Sequence, residues 1–126
     1  MINGILHATF LTYDLEKSRV FYEGVLGFQV NDTRPVMSFD GVWYDVGSNQ
    51  QLHLMQLPNP ESGLQRPEHG GRDRHVALAV SDLLKLIEKL NNAGVVYTLS
   101  KSGRQALFCR DPDHNALEFV AVGNVS

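Results

Sequence analysis

Four side chains in this 126-residue sequence have the chemistry of metal ligands: His7, His53, His75 and Glu118. Each lies in a β-like segment, and alternation along these segments places all four on the faces turned away from the bulky apolar residues. His75, for example, shares its face with Ala77 and a second alanine two residues further on. Three imidazoles and one carboxylate suit a hard-to-borderline divalent cation such as Zn, Ni, Co, Fe or Mn. The pattern therefore predicts a metal site with open positions for substrate oxygens.

The sequence around two of these histidines occurs twice. His7–Leu15 and His75–Leu83 both read as His, six residues, then Asp-Leu, and each is followed by a helix-like segment that closes at a glycine. Self-similarity of this kind indicates duplicated modules. His7 and His53 then occupy the first and last strands of one copy, and His75 and Glu118 the same strands of the other. For any single histidine a hydrogen-bonded structural role is the simpler interpretation, but the repeat favours ligation by the whole set.

Local signals give each copy the order β-α-β-β-β. Asp14 and Asp82 suit helix N-caps, and Gly27 and Gly94 suit the left-handed position after the helices. Apolar residues at three-and-four spacing give each helix one face that can cover a sheet. The predicted strands are Ile5–Leu11, Gln29–Thr33, Val42–Val46 and Gln51–Gln56 in the first copy, and His75–Val80, Val95–Leu99, Gln105–Cys109 and Ala116–Val122 in the second.

The predicted fold class is α+β, with two βαβββ modules forming a cupped mixed sheet and the helices on its outer face. Residues 1–126 are long enough for one domain and too short for two independent ones. The modules cover about 4–57 and 73–123. Between them, residues 58–72 are rich in Pro, Gly and charge, which predicts a loop that serves as a linker or a lid.

Composition limits the partners and the compartment. The net charge of -3 provides no basic field for nucleic acid or for an anionic membrane surface. No run of residues is long and apolar enough to span a bilayer, and the N-terminus does not read as a signal peptide. The single cysteine, Cys109, excludes an intrachain disulfide and reads as a buried apolar residue. We expect a cytoplasmic protein whose partner is a small molecule.

Several other polar residues have structural interpretations. His69 and His114 lie in loops and are excluded as ligands. The segment Asp111–Asn115 predicts a β-turn whose dihedrals come from Pro and Asn and which aims Glu118. Surface solvation is the simpler role for four arginines, although a guanidinium beside the cleft could hold a substrate carboxylate. These are Arg66, Arg72, Arg74 and Arg104.

Two motifs carry a family resemblance over nearly the whole chain. They are Phe21-Tyr-Glu-Gly-Val-Leu-Gly-Phe28 and Asp111-Pro-Asp-His-Asn-Ala-Leu-Glu-Phe119. With the paired modules, they make the chain resemble the vicinal oxygen chelate superfamily, which includes glyoxalase I, bleomycin resistance proteins and extradiol dioxygenases. The resemblance is nearest to single-chain, two-module proteins of the glyoxalase I type. Fold membership implies a cupped site without fixing the reaction.

The resemblance to glyoxalase I implies four metal ligands in the order His or Gln, Glu, His, Glu. They map onto His7, His53, His75 and Glu118, so His53 stands where that family has a glutamate. Glu118 is then the remaining carboxylate of the set and takes the role of catalytic base. The implied function is a divalent-metal-dependent lyase or isomerase acting on a small oxygen-chelating carbonyl compound such as a glutathione hemithioacetal.

Three alternatives remain open within the same family. An extradiol dioxygenase would use His7, His75 and Glu118, but a fourth ligand at His53 would occupy a position that iron needs for dioxygen. A metal-dependent transferase of the fosfomycin type ranks after it. A non-enzymatic binding protein of the bleomycin resistance type would line its cleft with aromatic residues and bind no metal. The resemblance also implies a homodimer.

Overall fold

The computed structural model describes residues 1–123, so the last three residues of the predicted domain lie outside the described part. The chain divides into two compact units, one formed by Met1–Gly63 and one that begins at Leu64. Each unit contains a strand, a helix and then three strands, which confirms the predicted α+β class and the βαβββ order. That the two units form a single domain stays a prediction.

The first unit is a four-stranded mixed sheet in the order β1-β4-β3-β2. β1 and β4 are parallel, and the other neighbours are antiparallel. His53 on β4 pairs in register with Thr9 on one side and with Trp43 on the other. The elements are β1 (His7–Thr12), α1 (Leu15–Arg19), a π-helical segment (Val20–Val25), β2 (Gln29–Val30), β3 (Gly41–Val46) and β4 (Gln50–Gln56).

The second unit repeats this topology with the strand order β5-β8-β7-β6. Glu118 on the central strand β8 pairs in register with Ala77 on the parallel strand β5 and with Phe108 on the antiparallel strand β7. A short 3-10 turn precedes the sheet. The elements are that turn (Gly70–Arg72), β5 (His75–Val80), α2 (Leu83–Asn92), β6 (Tyr97–Leu99), β7 (Ala106–Arg110) and β8 (Ala116–Ala121).

Both helices begin and end where the capping signals predict. Asp14 accepts a hydrogen bond from the Lys17 backbone N–H, and Asp82 accepts one from the Lys85 backbone N–H. Gly27 and Gly94 follow the helices with φ of 78° and 70°, the left-handed region that favours glycine. The N-cap and C′ predictions are confirmed in both units.

The first helix differs from the prediction in its second half. From Val20 onward it is a π-helix, with the Leu26 N–H donating to the Phe21 carbonyl five residues earlier at 3.0 Å. π-helical segments are rare, and an α-helical side-chain period does not reveal them. The wider turn buries two consecutive aromatic side chains, Phe21 and Tyr22, against the sheet. Tyr22 packs there beside Tyr44, at a ring-centroid distance of 5.8 Å.

Two strands are shorter than predicted because their ends hydrogen-bond elsewhere. β2 stops at Val30, since the Asn31 side chain bonds Asp45 and accepts from the Thr33 backbone N–H, which turns the chain. β6 begins at Tyr97 because the Val95 N–H donates to the Leu90 carbonyl at the helix end. The remaining strand boundaries agree with the prediction to within two residues.

Within residues 1–123, none of the helices is long and apolar enough to cross a membrane.

Candidate metal and substrate site

In the first unit the structure brings His7 and His53 together as stacked rings. Their centroids are 4.1 Å apart and their planes differ by 12°. The indole of Trp43 stacks on His53 as well, at 4.3 Å and 6°. His53 is therefore the middle ring of a three-ring stack that runs across β1, β4 and β3.

The His53 side chain is held in a defined tautomer. Its Nε2 lies 2.8 Å from the Gln51 side-chain oxygen, an atom that can only accept, so Nε2 carries the proton. Burial, followed by the nearby charges of His7 and Arg34, lowers the pKa of His53 to about 4. His53 is consequently a neutral imidazole at pH 7.

The stack forms part of the wall of a pocket of about 690 Å³ in the first unit. Arg34 extends along this pocket, with its guanidinium 5.5 Å from the Phe39 ring centroid and bonded to the Phe39 carbonyl at 2.8 Å. Met37 and Met55 add apolar surface. A pocket with stacked rings, two thioethers and one cation suits a flat ligand of partly apolar character.

In the second unit the structure brings His75 and Glu118 together. The Nε2 of His75 lies 3.2 Å from Oε1 of Glu118. The Nδ1 of His75 lies 2.9 Å from the Asp73 backbone carbonyl, which can only accept, so Nδ1 is the protonated nitrogen. In the neutral ring, Nε2 then points a lone pair at a carboxylate oxygen. Two acceptors at this distance require a proton or a cation between them.

Asp73 is itself fixed by three residues. Its carboxylate accepts from the Arg66 Nε at 2.8 Å, the Arg110 Nη1 at 2.8 Å and the Arg74 backbone N–H at 2.8 Å. The Arg66 guanidinium, followed by that of Arg110, holds the pKa of this carboxyl well below its usual range. Because Asp73 cannot move freely, its carbonyl keeps the His75 ring in one orientation.

Glu118 has a second partner on its other oxygen. The Arg104 guanidinium donates to Oε2, while the residue Glu118 is only 3% exposed. Arg104 comes from the connection between β6 and β7, and its side chain is 58% exposed. Both residues line a second pocket of about 550 Å³ that lies within the second unit.

The pair in the second unit fits half of a metal site. Donor atoms 3.2 Å apart can share one cation at about 2.1 Å each, and a ligating histidine usually donates its other N–H to a carbonyl or carboxylate, as His75 does. The pair in the first unit does not fit as it stands, because stacked rings present faces rather than convergent nitrogens. Among residues 1–123 no group of three or more His, Cys, Asp or Glu side chains is placed to hold a metal.

The four predicted ligands are thus found as two pairs, one in each unit, and their joint coordination of one cation stays a prediction. Sequence reasoning missed Asp73 and the contact of Arg104 with Glu118. The position of Asp73, two residues before a strand histidine and so on the same side of an extended chain, was an available signal. Nothing in the local pattern linked Arg104 to Glu118, fourteen positions away.

Three residues that the sequence analysis left out of the candidate site have other roles. His69 packs edge-on against Phe108 and accepts from the Gly71 backbone N–H. His114 adopts φ of 67°, so the left-handed position of the Asp111–Asn115 turn falls on His114 and not on Asn115 as expected. Burial raises the pKa of Cys109 to about 12, which leaves it a neutral thiol.

Comparison with known proteins identifies the family. A family model described as "Glyoxalase/Bleomycin resistance protein/Dioxygenase superfamily" matches residues 4–119 of the sequence. The chain belongs to this superfamily. This superfamily member is 30% identical to YwkD of Bacillus subtilis, over 94% of its own length and 96% of the relative.

Two further proteins resemble this chain, one in sequence and one in fold. The chain is 27% identical to lactoylglutathione lyase of Haemophilus influenzae, over 92% of this chain and 90% of that enzyme. Its fold also matches TnmS3, an antibiotic-binding protein from Streptomyces sp. CB03234, with a TM-score of 0.73, 18% identity and coverage of 97% and 98%. The likeness to TnmS3 shows a shared fold.

Proposed function

We propose that this protein is a divalent-metal-dependent lyase or isomerase of the glyoxalase I type, acting on a small carbonyl compound that chelates through oxygen, such as a glutathione hemithioacetal. The observation that carries the proposal is the His75–Glu118 pair, in which the imidazole Nε2 lies 3.2 Å from a buried carboxylate oxygen, a spacing that two ligands of one cation can have. The relation to lactoylglutathione lyase, close to full length in both chains, supports the same reaction class.

Glu118 acts as the base in this proposal. Its carboxylate removes a proton from the carbon beside a carbonyl group and returns it to the neighbouring carbon, so the reaction is an isomerisation without loss or gain of atoms. Glu118 is buried in the wall of the second-unit pocket, so a small molecule bound there would lie against its carboxylate. The His75 ring beside Glu118 is fixed by the Asp73 carbonyl, so the imidazole keeps its place next to the carboxylate.

His75 and Glu118 hold the metal in this proposal, and His7 and His53 are the two further ligands. A bound divalent cation polarises the substrate carbonyl and so acidifies the adjacent C–H group. Ligation by the first-unit pair requires that the His7–His53 stack opens and that the His53 Nε2 exchanges its Gln51 partner. The homodimer and the cytoplasmic location remain predictions from the resemblance and the composition.

The decisive experiment combines metal analysis with a hemithioacetal isomerisation assay. We expect the purified protein loaded with Ni, Co or Zn to turn over, and Glu118→Gln to lose about 100-fold to 10,000-fold in kcat, the range for removal of a general base. Glu88→Gln, an exposed glutamate on α2, is the matched control and should keep full activity. Wild type that is inert with each of these metals would exclude the lyase assignment.

A non-enzymatic small-molecule binding protein is the second candidate. The observation that favours it is the three-ring stack of His7, His53 and Trp43 beside a pocket of about 690 Å³, where His53 is neutral and hydrogen-bonded. The fold shared with the antibiotic-binding TnmS3 is compatible with it. Metal content separates the candidates: about one divalent ion per chain supports the lyase, and a metal-free protein that binds a flat aromatic compound supports sequestration.

A further inference from the structure

The second-unit pocket is lined by more positive than negative side chains, although the net charge of the protein is -3. Arg72, Lys101 and Arg104 all line it, against the carboxylates of Glu68 and Glu118. Of the three cations, only Arg104 has an ion pair among the contacts within residues 1–123. Arg72 and Lys101 thus bring positive charge to the pocket wall without an acidic partner in the described part of the chain.

A further donor in the same pocket has no acceptor. His69 accepts from the Gly71 backbone N–H through Nδ1, so the neutral ring carries its proton on Nε2. That Nε2 is buried and has no hydrogen-bond partner among the described residues. Buried N–H groups are normally satisfied, so an acceptor that reaches His69 from the pocket would supply the bond that this N–H lacks. An oxyanion supplies several acceptor atoms and negative charge together.

Arg104 links this pocket to Glu118. Glu118 belongs to the buried strand β8, whereas Arg104 belongs to the connection 100–105. The residues of this connection are exposed apart from Ser100. That connection is tied by short-range bonds of its own, such as the Ser100 Oγ to Ser102 Oγ contact at 2.8 Å. Movement of its tip therefore leaves the sheet intact, and the guanidinium can exchange one carboxylate for another anion.

We propose that Arg104 is an anion-operated latch on Glu118. Before a ligand enters, the Arg104 guanidinium is bonded to Oε2 of Glu118. The carboxylate or phosphate of an entering small molecule then binds this guanidinium in place of Glu118. The same anion also contacts Arg72, Lys101 and the His69 N–H. Glu118 is then released as an unpaired carboxylate. The latch rests on the proposed function, because it names the substrate class of that site as an anionic carbonyl compound. Arg104 acts through Glu118 and is a positioning residue.

The test uses metal-free protein, so that it does not depend on catalysis. Inorganic phosphate and acetate are titrated in parallel at matched ionic strength, with chloride as the screening control. Calorimetry gives the Kd, and NMR follows the Arg104 Nε–H and the Glu118 carboxyl carbon, assigned from Arg104→Gln and Glu118→Gln. We expect both signals to move with one midpoint. The anion that binds more tightly identifies the ligand group as phosphate or carboxylate.

Variants separate the latch from general charge effects. Arg104→Gln should weaken anion binding about tenfold or more, as expected for loss of one charge-assisted contact, and Arg104→Lys should retain part of it. Lys101→Gln should weaken binding less while the Glu118 signal still responds. Lys89→Gln, an exposed lysine on α2 outside the pocket, should match wild type. Circular dichroism checks that each variant is folded.

Three results would each overturn the latch. They are no binding of either anion by wild type, binding that leaves the Glu118 signal unchanged, and binding that is equally tight in Arg104→Gln. The proposed function can be contradicted independently of the latch. A protein that couples anion binding to Glu118 but takes up no metal keeps the latch and loses the lyase assignment. A metal-dependent lyase whose Glu118 signal ignores both anions keeps the function and loses the latch.

Discussion

At the level of single residues, Asp73 controls the candidate site without being one of its ligands. Its backbone carbonyl accepts the His75 Nδ1–H, which directs the Nε2 lone pair toward Glu118. Partners of this kind fix the tautomer and orientation of a ligating histidine. The carbonyl stays in place because the Asp73 carboxylate is bound by Arg66 and Arg110.

Replacing Asp73 therefore has two consequences. Asp73→Asn should lower the free energy of unfolding, since it removes the carboxylate charge that the Arg66 and Arg110 guanidinium groups share. It should also weaken Zn²⁺ binding by about tenfold to a hundredfold through the loosened His75 ring. Urea denaturation and a competitive zinc titration measure these effects. Asp32→Asn, at an exposed carboxylate that lines neither pocket, is the control and should change both quantities little.

The Asp73→Asn substitution should also change how the stability of the protein depends on pH. The folded-state pKa of Asp73 is depressed, so its contribution to stability is complete above the unfolded pKa of about 4 and is lost as pH falls further. Wild type should lose stability below that pH more steeply than Asp73→Asn. Parallel stability curves for the two proteins at acid pH would contradict the role assigned to the ion pairs.

Strand alternation predicted part of the candidate site from the sequence. It put His75 and Glu118 on one face of β5 and β8, and the two side chains are in contact. Alternation along a strand could not supply the partners that come from outside the sheet. The connection 100–105 and the segment before β5 have no period, so the contacts of Arg104 and Asp73 depend on tertiary packing.

At the level of elements, local sequence signals predicted the order of strands and helices and the caps of both helices. They could not predict the π-helical segment, because apolar spacing over six residues is the same for the α and π forms at their start. They also predicted β2 and β6 to be longer than they are. The end of β2 and the start of β6 are decided by single hydrogen bonds of Asn31 and Val95. Boundaries depend on such competing bonds more than on propensity.

The first helix offers a matched pair of glycine substitutions. A Cβ at Gly24 would meet only the Val20 side chain at 3.9 Å, so Gly24→Ala should stabilise the protein by about 0.5–1 kcal/mol through lower chain entropy in the unfolded state. Gly27 has φ of 78°, so Gly27→Ala should destabilise it by about 1 kcal/mol or more. Chemical denaturation of both variants checks the opposite signs. A loss of stability in Gly24→Ala would mean that the π-helical turn itself needs glycine.

At the level of the whole molecule, the duplication has produced two units with the same topology and different chemistry at equivalent strands. The first-unit pair is stacked and includes a neutral, hydrogen-bonded His53. The second-unit pair is an imidazole facing a carboxylate that also binds Arg104. The sequence predicted equivalence from the repeat, whereas the side-chain partners differ because residues outside the repeated motif, Trp43 and Arg104 among them, differ between the copies.

This difference makes the four-ligand prediction testable by hydrogen exchange. A cation stabilises the segments that hold it by about 2.7 kcal/mol at a hundred times its Kd, so amide exchange should slow in every strand that supplies a ligand. With Zn²⁺ we expect slower exchange in β1 and β4 as well as in β5 and β8. His53→Gln should reduce zinc affinity and abolish the protection in β4, and Glu118→Gln should reduce protection in both units. Protection confined to β5 and β8, with wild-type zinc affinity in His53→Gln, would mean that the cation is held by the second-unit pair without His53.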